Sequence, residues 1–216
     1  VSKPDYDPNT VKQNWEALST DENSVLLNRA TQGLYAPGST FKIVTALEYM
    51  REHSDYNSYS YNCTGVIEQE GTAIHCYGGN VHGPLDLQGS FAYSCNTSFS
   101  NIGLSLDPSA FQATSKELLF GKKLPCVLPA AKSSFTLSAQ DGSAARMMTA
   151  MGQGQTQVSP YHMALITAAV ANGGTLMKPY LVDSVTNYKG AEMSKNKPSK
   201  YGELMTAQEA SALKSY

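Results

Sequence analysis

Apolar residues fall at one-sided helical spacing in several parts of this 216-residue chain. Ile43, Val44, Leu47 and Met50 stand at i, i+1, i+4 and i+7, behind the turn signal Pro37-Gly38. That pattern predicts a helix over 39–52, with the Ser39 hydroxyl placed to cap its first turn. Leu87, Phe91, Phe99, Ile102 and Leu106 keep helical spacing after Asp86, a second capping residue, and Ser94-Cys95-Asn96 joins the two apolar segments. A further helix is expected over 108–120, stopped by Gly121. The clearest helix is "SPYHMALITAAVANGG" at 159–174: Ser159 caps it, Pro160 takes the favoured first position and Gly173-Gly174 ends it. "TAQE" at 206–209 is a capping box that opens a last helix. Alternation in "CTGVIEQEGTAIHC" predicts a hairpin about Glu70-Gly71, and 175–193 reads as a strand pair about Lys189-Gly190. The first 34 residues are polar and loop-rich with one helix at 11–18, and "KKLPCVLPAAKSSF" is a loop. No internal repeat interrupts this order, and helices dominate it.

Charge narrows the partners. Lysines and arginines number 16 against 18 acids, a net charge of −2. Nucleic acid is therefore not an expected partner, because a phosphate backbone demands a concentrated positive field. No apolar run approaches the roughly 20 residues that span a bilayer. The opening "VSKPDYDPNT" reads as the middle of a longer sequence. Cysteine usage leaves three readings open. Cys63 and Cys76 bracket the predicted hairpin and could be joined by a disulfide, or remain free thiols. His75, Cys76 and His82 suggest metal, but no paired C-x-x-C spacing supports a zinc site, so no metal and no cofactor is expected.

The chemistry concentrates at Ser39. A hydroxyl is a weak nucleophile until a base takes its proton. Lys42 lies at i+3, on the same helix face. An unperturbed lysine has a pKa of about 10.4, so neutrality at pH 7 costs roughly 4.6 kcal/mol. Burial, a nearby cation and the positive helix N-terminus all lower that cost. The same helix end offers N–H groups to an oxyanion. The bland alternative is an N-cap serine with a solvated lysine. S-x-x-K occurs three times in the chain and S-x-N three times, so neither motif is specific alone. Ser194 lies in the charged "MSKNKPSK", Ser211 in mid-helix and Ser60 in a polar, tyrosine-rich stretch. Only Ser39 opens an apolar helix, and only Ser94 and Asn96 sit between two such helices.

"NRATQGLYAPGSTFKIVTAL", "HGPLDLQGSFAYSCNTSF" and "GQGQTQVSPYHMALITAAVANGG", in this order and spacing, resemble the transpeptidase domain of the high-molecular-mass, class B-like penicillin-binding proteins. "SKPDYDPN" and "GGTLMKPYLV" also read as family segments, so the resemblance covers nearly the whole chain. It implies an α/β fold with helices around an antiparallel five-stranded sheet, much of which is expected to be missing from this chain. It implies a peptidoglycan D,D-transpeptidase at the extracytoplasmic face of the bacterial membrane, in a membrane-anchored parent, acting on D-Ala-D-Ala stem peptides and acylated by β-lactams. Carried over by residue, Ser39 forms the acyl-enzyme, Lys42 activates it, Ser94 relays a proton to the departing amine, and Asn96 holds the substrate amide. Asn28 and Arg29 match a family pattern and are given only a structural role.

One departure stands out. The superfamily's third motif, K-T-G or K-S-G, is absent. The chain, 1–216, is accordingly expected to be part of a transpeptidase domain without its first strands and its third-motif strand. Alone it is expected to be catalytically crippled, and its open sheet edge would invite pairing with the missing strands or another chain. A class A β-lactamase needs a glutamate after S-x-N to activate water, and none occurs between Glu117 and Glu192. A carboxypeptidase or an acylated, non-catalytic sensor remains open. The source gene is expected to continue past Tyr216 into a strand with Lys-Thr-Gly or Lys-Ser-Gly. A stop codon directly after Tyr216, found by sequencing that gene, would contradict this expectation.

Overall fold

A computed structural model describes residues 3–216; residues 1 and 2, the start of the expected domain and of its "VSKPDYDPN" segment, lie outside the described residues. The elements follow in the order α1 (Trp15–Ser19), α2 (Lys42–Glu52), β1 (Tyr61–Cys63), β2 (Val66–Gln69), β3 (Thr72–His75), β4 (Gly83–Leu85), α3 (Leu87–Ala92), α4 (Asn96–Ser105) and α5 (Pro108–Glu117). They continue with α6 (Ser143–Ala150), α7 (Pro160–Ala171), β5 (Thr175–Met177), β6 (Ser184–Thr186), β7 (Glu192–Lys195), β8 (Lys200–Glu203) and α8 (Ala207–Ser215). None of the described helices is long and apolar enough to cross a membrane.

The caps explain most helix starts. Asp86 accepts from Gly89 N–H at 2.6 Å, and Asp107 from Ser109 and Ala110 N–H at 2.9 and 2.8 Å. Ser159 accepts from His162 N–H at 3.2 Å, and Thr206 and Glu209 complete a capping box. Three expectations shift. The expected helix at 11–18 shrinks to α1, which buries no residue and so gains nothing from lengthening. The helix expected from 108 to 120 ends at Glu117, with a turn carrying the chain to Gly121. The helix expected from Ser39 begins at Lys42, after one 3-10 turn over Gly38–Phe41. Ser39 caps no N–H there, because its hydroxyl is engaged by Lys42 and Ser94 instead.

The helices share one apolar core. Val44 and Leu47 of α2 meet Phe99 and Ile102 of α4, Phe111 of α5, Ile166 of α7 and Leu213 of α8. Phe41 packs its ring within 5.8–6.1 Å of Phe111, Phe120 and Phe135. At Gly103, α4 touches α6 backbone to backbone: an added Cβ would lie 2.4 Å from Ala150 Cβ and 2.7 Å from the Arg146 carbonyl. Arg146 returns the contact by donating to the Leu104 and Leu106 carbonyls at 2.9 and 2.5 Å. Arg51 ties α2 to α5 and α8 through Glu117 and Glu209, both at 2.8 Å, and through the Thr114 hydroxyl at 2.9 Å. Buried His162 donates Nε2–H to the Leu118 carbonyl at 2.7 Å, which leaves Nδ1 to accept from the Ser133 hydroxyl at 2.8 Å.

The strands form four two-stranded antiparallel pairs, β1–β4, β2–β3, β5–β8 and β6–β7, and the larger sheet, expected to be mostly missing from this chain, is not formed among the described residues. All are three or four residues long, and β7 is exposed throughout, so it has no apolar face to bury in a larger sheet. The hairpin about Glu70-Gly71 forms with Val66 opposite His75, and β6–β7 turns about Lys189-Gly190. β5 pairs with β8 rather than with its neighbour in the expected 175–193 pair.

Glu48 lies 2 % exposed in α2, and its Oε2 has no hydrogen-bond partner. Burial pushes its carboxyl up to about 7, aided by neighbouring Glu52. A raised carboxyl costs no stability below its unfolded value, near pH 4.5, and destabilises increasingly as pH rises through about 7. Thermal melts of Glu48→Gln and the parent should therefore diverge in the variant's favour between about pH 5 and pH 8. A constant difference across that range would contradict the buried charge.

Candidate active site

The turn before α2, the break between α3 and α4, and the segment after α6 meet at one cleft of about 780 Å³. Ser39, Asn80, His82, Ser94, Asn96 and Met148 are among its lining. Lys42 lies buried beneath three of them, bonded to Ser39, Ser94 and Asn96. This side chain is 2 % exposed, and its Nζ donates to four oxygens: the Ser94 carbonyl at 2.6 Å, Asn96 Oδ1 at 2.9 Å, Ser94 Oγ at 3.0 Å and Ser39 Oγ at 3.3 Å. Ser94 Oγ in turn donates to Ser39 Oγ at 2.8 Å. Ser39, Lys42, Ser94 and Asn96, singled out from the sequence, thus stand within direct hydrogen-bond reach across up to 55 residues of separation.

Backbone geometry puts them there. Ser94 ends the α3 turn at φ 51, a left-handed value that non-glycine residues seldom adopt. That conformation delivers both its carbonyl and its hydroxyl to Lys42. Cys95 then caps α4, its sulfur accepting from Ser98 N–H at 3.4 Å, and Asn96 begins the helix. Asn96 is held by its amide, which donates to the His75 carbonyl at 3.2 Å. On the opposite wall, Gly38 at φ 58 donates its N–H to the Gly152 carbonyl at 2.8 Å. A Cβ on Gly152 would fall 1.9 Å from the Gly38 carbonyl oxygen, so the turn that carries Ser39 rests on bare backbone.

The electrostatics match the burial. Desolvation lowers the Lys42 amine from its ordinary value to about 8, against the opposing pull of the Cys95 and Cys76 thiols. The Phe99 ring lies 5.3 Å from Nζ and offers a weak counter-field. At pH 7 about a tenth of such amines are neutral, far more than for a free lysine.

The remaining sequence candidates fall outside the cleft. Ser194 lies on exposed β7 and Ser211 on the exposed side of α8. Asn28 Oδ1 accepts from Ala30 and Thr31 N–H, and Arg29 reaches the Ser24 carbonyl, both holding a loop. The sequence reading missed the wall made by Met148, Met151 and Gln153. These residues come from α6 and its end, whose N-cap Gly142 makes no side-chain bond and so leaves little start signal. It also missed Cys95 as a partner of Cys63 and Cys76.

The penicillin binding protein transpeptidase domain model matches residues 1–215. The chain belongs to that family. The peptidoglycan D,D-transpeptidase PbpA of Mycolicibacterium smegmatis is 32 % identical over 226 residues, covering 99 % of this chain and 46 % of the relative. Penicillin-binding protein A from M. tuberculosis, solved as an imipenem acyl-enzyme complex, superposes with TM-score 0.85 at 27 % identity, over 99 % of this chain and 52 % of that one. The D,D-transpeptidase domain from Eggerthella lenta gives TM-score 0.86 at 26 % identity, over 99 % and 55 %. The chain therefore spans about half the length of the relatives it matches. In this transpeptidase domain the Gly38–Gly152 contact fixes the serine. Gly152→Ala should slow covalent penicillin binding about 10²-fold with the far-ultraviolet spectrum unchanged. Labelling at the parent rate would show that the turn tolerates displacement.

Proposed function

We propose that this chain carries the acyl-forming machinery of a peptidoglycan D,D-transpeptidase. The observation that carries this reading is the convergence of Ser39 Oγ, Ser94 Oγ and Asn96 Oδ1 on one buried amine, Lys42 Nζ. The names of the mycobacterial relatives and the acyl-enzyme form of the structural neighbour support it.

In the reactive state Lys42 is neutral, and its Nζ lone pair takes the Ser39 hydroxyl proton across the 3.3 Å contact. Ser39 Oγ attacks the carbonyl carbon of the penultimate D-Ala of a D-Ala-D-Ala stem peptide. The Lys42 proton passes to Ser94 Oγ, 3.0 Å away, and Ser94 gives its own proton to the departing D-Ala nitrogen as the C–N bond breaks. Asn96, held by Lys42 and the His75 carbonyl, orients the substrate amide. A stem-peptide amine then attacks the ester, and the same groups run in reverse to release Ser39 and form the cross-link. A β-lactam acylates Ser39 by the same first step. No carboxylate lines the cleft among the described residues, which favours transfer to an amine over rapid hydrolysis. The substrate's place in the wall sets the protein at the extracytoplasmic face of the membrane.

Fluorescent penicillin should label one site, mapped by peptide sequencing to Ser39, and Ser39→Ala should abolish it. Lys42→Met should slow labelling by about 10²–10⁴-fold. The labelling rate should climb with pH through about 8 as Lys42 loses its proton. Label on another serine, or a rate flat in pH across that value, would sink the reading.

A further inference from the structure

Behind the Ser94–Asn96 turn runs a chain of hydroxyls that the acyl transfer does not use. Ser90 is on α3, Ser98 and Asn101 are on α4, and Tyr59 precedes β1. Ser90 and Ser98 are fully buried, and their hydroxyl oxygens lie 2.7 Å apart. The Ser90 hydroxyl reaches the Asp86 carbonyl at 2.7 Å. The Tyr59 hydroxyl lies 2.8 Å from Ser98 Oγ and 3.2 Å from the Ser98 carbonyl. The Asn101 amide donates to the Tyr59 oxygen at 3.4 Å.

Proton counting fixes the direction of these bonds. A hydroxyl has one proton to give, and a carbonyl only accepts. Ser90 therefore gives its proton to Asp86. Ser98 must then donate to Ser90, and Tyr59 to Ser98. Burial pushes the Tyr59 phenol up to about 12, so it keeps the proton that this order requires. The bonds run one way from Asn101 to Asp86, an arrangement in which each polarises and strengthens the next. Both ends of the chain bear on the site. At one end, Ser90 and Ser98 flank Ser94, one helical turn before it and one after, and the Ser90 carbonyl also accepts from Cys95 N–H at 2.9 Å. At the other end, the Tyr59 ring meets the Tyr49 ring edge-on at 5.2 Å, and Tyr49 belongs to α2, the helix that carries Lys42. Ser94 itself stands at φ 51, a conformation that persists only where its surroundings over-determine it.

We propose that Ser90, Ser98 and Tyr59 are positioning residues for the acyl transfer: their hydroxyl chain braces α3 and α4 against α2 and so holds the Ser94 carbonyl and hydroxyl against the Lys42 amine. This rests on the acyl-transfer reading of Ser39 and Lys42. None of the three lines the cleft, so they act through Ser94 rather than on substrate. With the link between Ser90 and Ser98 cut, the turn is left to its backbone bonds. Ser94 then relaxes toward an ordinary φ, and Lys42 Nζ loses its hold on two of its four acceptors.

The first readout is the rate of covalent penicillin labelling against penicillin concentration, for the parent, Ser90→Ala, Ser98→Ala and the double variant. Each single variant should slow the saturated acylation step about tenfold, with the affinity before acylation unchanged. The double variant should be no slower than the slower single one, because both changes cut one bond. The second readout does not depend on acylation. It is the titration midpoint of Lys42, followed by NMR of its ε-carbon and assigned through Lys42→Met. An ammonium that loses acceptors gives up its proton more easily, so both single variants should titrate at least about 0.3 pH units below the parent. The Cys76 and Cys95 thiols face the same amine and are present in every variant, so they do not account for such a shift. Should Ser90→Ala or Ser98→Ala fail to fold, Tyr59→Phe keeps the ring on Tyr49, removes the donor to Ser98 and should move the midpoint the same way. A parent chain that penicillin never labels would sink the acyl-transfer reading, and the Lys42 midpoint would then judge the positioning alone. Midpoints equal to or above the parent's, additive losses in the double variant, or acylation of the single variants at the parent rate would overturn the proposal.

Discussion

A lysine amine has been taken out of water, and the cleft is built around satisfying it. An ammonium has three protons to donate and is expensive to bury unless each finds an acceptor. Lys42 finds four oxygens, from residues 39, 94 and 96. Losing the two that Ser94 supplies would leave a desolvated donor, so the requirement that keeps the amine buried also holds Ser39, Ser94 and Asn96 together. The left-handed Ser94 is explained by this need: its strain of about 1–3 kcal/mol is offset where one residue supplies both carbonyl and hydroxyl to the amine.

Around that amine the scaffold is redundant. α2, which carries Lys42, is fixed at its far end by Arg51 bridging Glu117 and Glu209. It is fixed in its middle by Thr45, whose hydroxyl donates to the Ala150 carbonyl at 2.7 Å. α4, which carries Asn96, is locked against α6 at Gly103. The strands contribute less to this rigidity: β1, β3, β4 and β5 bury one residue each, Cys63, Ile74, Leu85 and Leu176, and the rest of their residues lie mainly at the surface.

The sequence disclosed the elements whose signals are local. Capping residues at 86, 159 and 206, the Glu70-Gly71 turn and the apolar spacing of α2 and α7 all have counterparts in the fold. The meeting of Ser39, Lys42, Ser94 and Asn96 was legible because the family resemblance linked two motifs that spacing alone could not join. What stayed hidden depends on distant partners. α6 has no side-chain cap, and β8 finds β5 across more than twenty residues. Cys95, inside S-x-N, went unlinked to Cys63 and Cys76 because no short repeat joins them in the sequence. At Ser39 the local signal also offered a helix cap, and tertiary contacts recruit the hydroxyl to the amine instead.

The Gly38–Gly152 contact bears on how such a cleft can change over generations. Where two peptide planes touch without side chains between them, no substitution offers a graded adjustment, since any Cβ at 152 collides with the Gly38 carbonyl. A lineage under pressure at this cleft cannot tune the turn that carries Ser39 by small steps. Variation has to accumulate at rim positions such as Asn80, Tyr93 and Met148, where side chains face open space and the shape of entry can shift while the serine stays put.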